Sequence, residues 1–345
     1  MTVQTEQGER PPNGLVAIPR LLFMRVGVLP FFLVAALIVF AIASSQFLTT
    51  QNLINVARQS VYLVLVSLGQ MIVLLTGGFD LAVGTTIALT SVLSAIAMVA
   101  LAPTFPDAIW LVITIACLGA MAVALLIGLV NGTGVAVFGV SPFIMTLGVQ
   151  SVGAGAALFL TGGVPVAGMP HAFGDTFGFG RVFGVPVPVM VAIIAIAVMA
   201  VFLYGTRAGR HLYAVGGNIK AAKLSGVDTI RTLLVAYAAS ALLASVAGLL
   251  LTARVESGEA NLGGTVALES IAACVIGGVS LRGGIGRVEN VVLGAFFIVL
   301  VQNGMNLMQI GSYMQMVLLG VLLILAVVGD QFRYRLIVGA PLGSS

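Results

Sequence analysis

Residues able to act as acid, base, nucleophile or metal ligand are few in this chain and widely spaced. There are two histidines, His171 and His211, and two cysteines, Cys117 and Cys274. No cluster of His, Cys, Asp or Glu has the spacing of a metal site. Neither histidine shares a segment with a serine or cysteine nucleophile, as a catalytic triad needs. No carboxylate pair falls at i, i+3 or i+4 inside an apolar run. Both cysteines sit within apolar stretches and read as small buried hydrophobes. A P-loop of the GxxxxGK[ST] type is absent, so the chain has no ATP cradle of that kind. The expectation is no catalytic residue, no metal and no bound cofactor.

Two carboxylates do fall where charge is costly. Asp80 follows Thr76-Gly77-Gly78-Phe79, and Glu269 stands near the start of a later apolar segment. Ionisable groups at membrane depth usually serve function. A carboxylate at a helix start can equally cap free amides and complement the helix dipole. Both readings stay open for both residues. Gln59, Gln70, Asn131, Gln150, Gln302, Asn303 and Asn306 recur within or beside apolar stretches. They suit helix-to-helix hydrogen bonds or a polar path, and such a lining would suit hydroxyl-rich neutral solutes. Asp80, Gln70, Asn131, Glu269 and Asn303 are the candidates for a translocation path or gate.

The elements that must carry these residues follow from composition. Hydrophobic residues make up 60% of the 345 and charged residues 8%, with a mean hydropathy of +1.17. A soluble domain carries about 25% charged residues, so a water-facing surface cannot be built here. The net charge of +4 is spread along loops and is no nucleic-acid signal. No Asp, Glu, Lys or Arg occurs between Arg25 and Arg58, Asp107 and Asp175, or Glu289 and Asp330. The runs are continuous rather than alternating, which selects helices over a barrel. The fold class is an all-α polytopic membrane protein of about ten crossings. They are expected near 28–46, 59–75, 80–100, 109–130, 142–160, 186–204, 233–253, 266–278, 291–307 and 313–328. The first reads as a retained anchor rather than a signal peptide, and 266–278 as short or partly re-entrant. The domain expectation is a cytoplasmic tail over 1–27, one transmembrane domain over 28–329 and a cytoplasmic tail over 330–345.

Ten crossings place 12 of the 15 basic residues on one side and leave Arg58, Arg181 and Arg254 on the other. The positive-inside rule makes the first side, with both termini, cytoplasmic. The outer loop from about Thr161 to Val185 is either a connector or a docking surface for an external partner. On the cytoplasmic side, 206–231 is long for a turn and too polar to cross. Asn218 is expected to cap a short helix from Ile219 that Gly226 stops. Such a helix is either a lever for a cytoplasmic partner or an interfacial anchor to lipid headgroups.

Five stretches resemble one family. TGGFDLAVG (76–84), SPFIMTLG (141–148), GRHLYAVGGNIKAAKLSGV (209–227), LESIAACVIGGVSLRGGIG (268–286) and QNGMNLMQIGSYMQMVLLG (302–320) are similar, in order, to the permease subunit of bacterial ABC importers for ribose, xylose and related monosaccharides. The resemblance implies an inner-membrane permease translocating a monosaccharide or similar polyhydroxylated solute by alternating access. It implies a cytoplasmic ABC ATPase that uses ATP and Mg, an external solute-binding protein, and a second permease copy, identical or a sister. By the same resemblance Gly209, Arg210, Gly216, Gly217, Asn218, Ala221, Ala222, Ser225 and Gly226 form the ATPase-coupling loop. Glu269 stands where the family commonly has Asp, and Ile219-Lys220 where acidic residues are common. The alternatives are an ion-coupled secondary carrier of a neutral solute, or a nucleoside or polyol permease of the same importer superfamily.

Overall fold

The computed structural model describes residues 29–318 together with 320, 321, 324, 325 and 328, and its regular structure is almost wholly helical. In chain order the helices are α1 (Leu29–Ala43), α2 (Thr50–Leu75), α3 (Val83–Leu101), α4 (Ile109–Ala136), α5 (Pro142–Thr161) and α6 (Val187–Ala200, continued by a wide turn Val201–Gly205). They are followed by α7 (Arg207–Gly217), α8 (Ile219–Leu224), α9 (Thr229–Val255), α10 (Val266–Ile276) and α11 (Val288–Leu307). A hairpin of two short strands, β1 (Arg181–Val182) and β2 (Val185–Pro186), precedes α6.

Seven helices among the described residues are long and apolar enough to cross a membrane: α2, α3, α4 with its leading turn from Pro106, α5, α6 with its wide turn, α9 and α11. The ten expected crossings are corrected accordingly. Helix α1 has 15 residues and α10 has 11, short of the roughly 20 that a full crossing takes. The expected span at 313–328 lies partly outside the described residues, and so do the expected tails 1–27 and 330–345. Helix α2 starts at Thr50 rather than Gln59, because Thr49 accepts the Asn52 amide and caps it. The Gly77-Gly78 break is real. The backbone leaves α2 at Leu75 and resumes helix only at Val83.

Helix α9 is the hub, packing along α4, α2 and α3. Small residues set these distances. A methyl group on Gly128 of α4 would lie 2.6 Å from the Tyr237 carbonyl oxygen, and one on Gly69 of α2 would lie 2.9 Å from the Ser240 Cα. Helices in lipid gain no hydrophobic term by pairing, so such close backbone approach supplies their contact energy. Helix α2 is buried on nearly every side from Ser60 to Leu75. Helices α5 and α6 carry broad exposed apolar faces, with Phe159, Val152, Ile193 and Val198 open.

Gly128→Ala is expected to lower the apparent thermal midpoint of the detergent-solubilised protein, overpacking costing about 1–3 kcal/mol. Gly119→Ala, on the same helix with no atom within 4 Å of the added carbon, should shift stability by no more than about 1 kcal/mol. Fluorescence-detected size exclusion after heating compares the two.

Candidate functional site

The segment 206–231 folds as two helices rather than one. Thr206 accepts the Gly209 amide at 3.1 Å and starts α7, a helix that was not foreseen. Its signal was present as a Thr-x-x-Gly start and an amphipathic face that buries Leu212 and Val215. Asn218 then breaks the helix with extended backbone, and its Oδ1 accepts the Ala221 amide at 3.0 Å to start α8. Gly226, at φ +82, ends the motif as expected. Asp228 caps α9 through the Arg231 amide at 3.0 Å.

The residues expected to form the coupling loop divide by burial. Gly209 and Ala222 are buried, and Arg210, Gly217, Asn218, Ala221, Ser225 and Gly226 are exposed. Gly209 lets α7 fold back on the wide turn: a carbon there would meet the carbonyl oxygens of Leu203 and Phe202. Leu224 is 90% exposed at the end of α8, beside exposed Ile219, Lys220 and Lys223. The α8 surface thus pairs exposed apolar side chains with two cations.

Gly216 ties this loop to the membrane domain. A Cβ on Gly216 would overlap the carbonyl oxygen of Leu75, the last residue of α2. That same oxygen accepts the Gly284 amide at 2.9 Å. Gly283, at φ +89, lies between the Gly216 oxygen and the Gly77 nitrogen, each 2.9 Å from where its Cβ would be. Three backbones therefore meet: the end of α7, the end of α2 and the turn before α11. No side chain separates them. Tyr213 adds a hydrogen bond from its Oη to the Gly286 carbonyl at 2.9 Å. Burial, with Tyr204 and Glu289 nearby, pushes the Tyr213 phenol up to about 12, so it remains a donor. Beside it, Tyr204 donates to Glu289 at 2.8 Å and accepts the Val288 amide at 2.9 Å. Helix α6 is thereby latched to the start of α11.

One step further along the chain lies Asp80, 2% exposed in the break between α2 and α3. Its Oδ1 accepts the Ala82 amide at 3.1 Å and its Oδ2 accepts the Ser240 hydroxyl at 2.8 Å. Gln70 clamps the same residue from α2. With its amide oriented to suit, it donates to the Asp80 carbonyl at 3.0 Å and accepts the Asp80 amide at 3.2 Å. Tyr237 donates to the Phe79 carbonyl at 3.3 Å. The break thus satisfies its backbone through Gln70 and Tyr237, as a non-helical stretch inside a bundle must.

The other path candidates lie apart from this cluster. Asn303 of α11 exchanges two amide hydrogen bonds with Asn52 of α2, at 2.9 and 3.0 Å. Asn131 of α4 is 1% exposed, and its Oδ1 has no partner among the described residues. Glu269 is half-buried in the first turn of α10. So the structure brings Gln70 and Asp80 together and separates the remaining three. Ser240, Tyr237, Tyr213 and Asn52 were missed. Ser240 and Tyr237 show only as polar residues three apart on one helix face.

At the opposite end of the bundle the loop expected at Thr161–Val185 has structure of its own. A helical turn His171–Phe173 and a wide turn Gly174–Gly178 pack on α9, and the β1–β2 hairpin follows. A cavity of about 330 Å3 lies between Gly168–Gly174 and Glu256. Arg254 stacks over Phe179, 4.8 Å from the ring centre. Among the described residues no group of three or more His, Cys, Asp or Glu is placed to hold a metal ion.

Residues 52–327 match the family model described as the permease component of the branched-chain amino acid transport system. The chain is 36% identical over 295 residues to the ribose import permease of Bacillus subtilis, covering 85% of this chain and 89% of that protein. It is 34% identical over 303 residues to the D-allose transport system permease of Escherichia coli, covering 87% and 90%. It is 33% identical over 324 residues to the galactose/methyl galactoside import permease of Salmonella typhimurium, covering 91% and 96%. No solved structure matches the chain.

The bonding at Asp80 fixes the outcome of two substitutions. Asp80→Asn keeps an acceptor for Ala82 and a polar partner for Ser240, so the thermal midpoint and uptake should both be retained. Asp80→Ala strands a buried hydroxyl and a buried amide, each at about 1–3 kcal/mol, and should lower the midpoint clearly. Loss of uptake in Asp80→Asn with normal folding would instead assign the carboxylate charge to ion coupling.

Proposed function

This chain belongs to that family of transport-system permease components, and we propose that it carries a monosaccharide across the bacterial inner membrane by alternating access. It is a non-catalytic, multi-pass membrane subunit of an ABC importer, and a partner ATPase supplies the hydrolysis. The relatives named for ribose, D-allose and galactose support an aldose as cargo. An external solute-binding protein delivers it, and two permeases, identical or sister chains, enclose the path. The cluster of five basic residues in segment 206–231 supports placing that segment in the cytoplasm.

The observation that carries the coupling assignment is the junction of Gly216, Leu75, Gly283 and Gly284. Closure of the ATPases displaces α8, whose exposed Leu224 and Ile219 give the partner its hold. Helix α7 passes that displacement on through backbone contact, which cannot be absorbed by side-chain rotamers. The end of α2 and the Asp80 break move with it, and the packed helices rock as rigid bodies. Each state must gain contacts that the other lacks for the coupling to work. The α8 surface is where ATP binding supplies them.

The test reconstitutes the permease with its ATPase and binding protein in liposomes and measures ATP hydrolysis and sugar uptake together. Gly217→Pro removes a backbone amide from the last turn of α7, and Asn218→Trp removes the α8 cap. Both are expected to keep hydrolysis while reducing uptake by tenfold or more, with normal folding by size exclusion. Normal uptake in both variants overturns the coupling-loop assignment. Uptake that ignores ATP and follows an ion gradient overturns the importer reading itself.

A further inference from the structure

The chain between α9 and α10 enters the membrane without forming a helix. Its depth can be read from its neighbours. Gly248 of α9 packs against Ile87 of α3. It lies seven residues inward of Val255, the end of α9, or about 10 Å at 1.5 Å per residue. Gly84 of α3 is almost one turn further inward, and a carbon on it would lie 2.6 Å from the Gly263 carbonyl oxygen. Gly263 is therefore about 15 Å inside the end of α9. Helix α9 has 27 residues, about 40 Å, so Gly263 lies toward its middle and within a hydrocarbon layer about 30 Å thick. Helix α10 starts at that depth and runs to the turn that meets Gly216 and Leu75.

At this depth the surface is polar. Asn261, Gly264 and Thr265 are exposed, Glu269 is half-exposed one turn beyond Thr265, and Leu268 between them is 59% exposed. The Asn261, Thr265 and Glu269 side chains have no hydrogen-bond partner among the described residues. Exposed non-helical backbone and open polar groups cannot face acyl chains, where each unsatisfied group costs several kcal/mol. Such backbone is tolerated only against protein or a water-filled cavity. Discontinuous helices that begin at the midplane commonly form solute sites in carriers for this reason.

We propose that Asn261, Thr265 and Glu269 form one wall of the solute passage and hydrogen-bond the cargo's hydroxyls. The proposal rests on the importer reading, in which the second permease supplies the facing wall. An amide, a hydroxyl and a carboxylate alternate donors and acceptors in the way vicinal hydroxyls require. From Asn261, where the wall starts, to Leu281 the chain carries one charged residue, Glu269. The wall therefore favours neutral polyols and repels anions, so phosphorylated sugars are excluded.

The test uses the full importer in liposomes, with Cys117 and Cys274 replaced by Ala. Asn261→Cys and Thr265→Cys are labelled with a membrane-impermeant maleimide. Ile193→Cys and Val198→Cys on the open apolar face of α6 serve as lipid-facing controls. Labelling at 261 or 265 at least tenfold faster than at the controls, slowed by excess ribose, allose or galactose and not by ribose 5-phosphate, is the expected result. Rates equal to the controls, or labelling that none of the three sugars slows, overturn it. Thr265→Val should also raise the half-saturating sugar concentration about tenfold, the value of one hydrogen bond, with Thr265→Ser near normal. An unchanged half-saturating concentration in Thr265→Val overturns the hydroxyl contact. ATP-independent uptake with fast labelling sinks the importer reading alone. ATP-dependent uptake with control-rate labelling sinks the wall alone.

Discussion

Backbone amides and carbonyls have nowhere to go in hydrocarbon, and the rest of this structure depends on that constraint. A chain with so few charged side chains can bury long helices freely, because helices satisfy themselves. It cannot interrupt one without finding partners inside the bundle. It does so twice, at 76–82 and at 256–265. Around the first interruption Gln70, Ser240, Tyr237 and the Asp80 carboxylate supply what the missing helical turns would have. The second is closed on one side by Gly84 and left open on the other. The first turn of α3 touches the second break through Gly84 and Gly263, so α3 and α10 start side by side within the membrane.

The interruptions also give the membrane domain its mechanical handle. A continuous helix from Thr50 to Leu101 would carry no free backbone end at the level of the 206–231 loop. Ending α2 at Leu75 exposes a carbonyl that Gly284 and Gly216 reach. One atom then belongs to the contact sets of α2, α7 and the turn before α11. The Tyr204 and Tyr213 phenols brace the same region from α6 and α7. In the proposed coupling, motion of the loop helices would pass by main chain against main chain, where added bulk finds no room.

Much of this was legible in the sequence. Helical class, the break at Gly77-Gly78, the Asn218 cap, the stop at Gly226 and the incomplete span near 266 all follow from local signals, because capping and glycine conformation act over four residues. Span count was less legible. Apolar composition marks α1 and α10 as membrane-embedded but says nothing of whether neighbours cut them short. Helix α7 hid in a segment whose polarity suggested a loop, since its amphipathic face is only three turns long. The partners of Asp80 were not legible at all. Ser240 stands 160 residues away in the chain, and no local pattern reports a contact made by helix packing. The same holds for Asn52 and Asn303.

The glycine junction has a consequence for how such permeases diversify. A contact made of bare backbone offers no side chain that substitution can adjust: every change at Gly216 or Gly283 adds bulk where there is no room. In the coupling proposed above, the choice of ATPase would fall to the outward face of α8, where Ile219, Lys220, Lys223 and Leu224 are exposed. On that proposal the transmission would stay fixed while the plug that enters it could be redrawn, and a motor could be exchanged without rebuilding the passage.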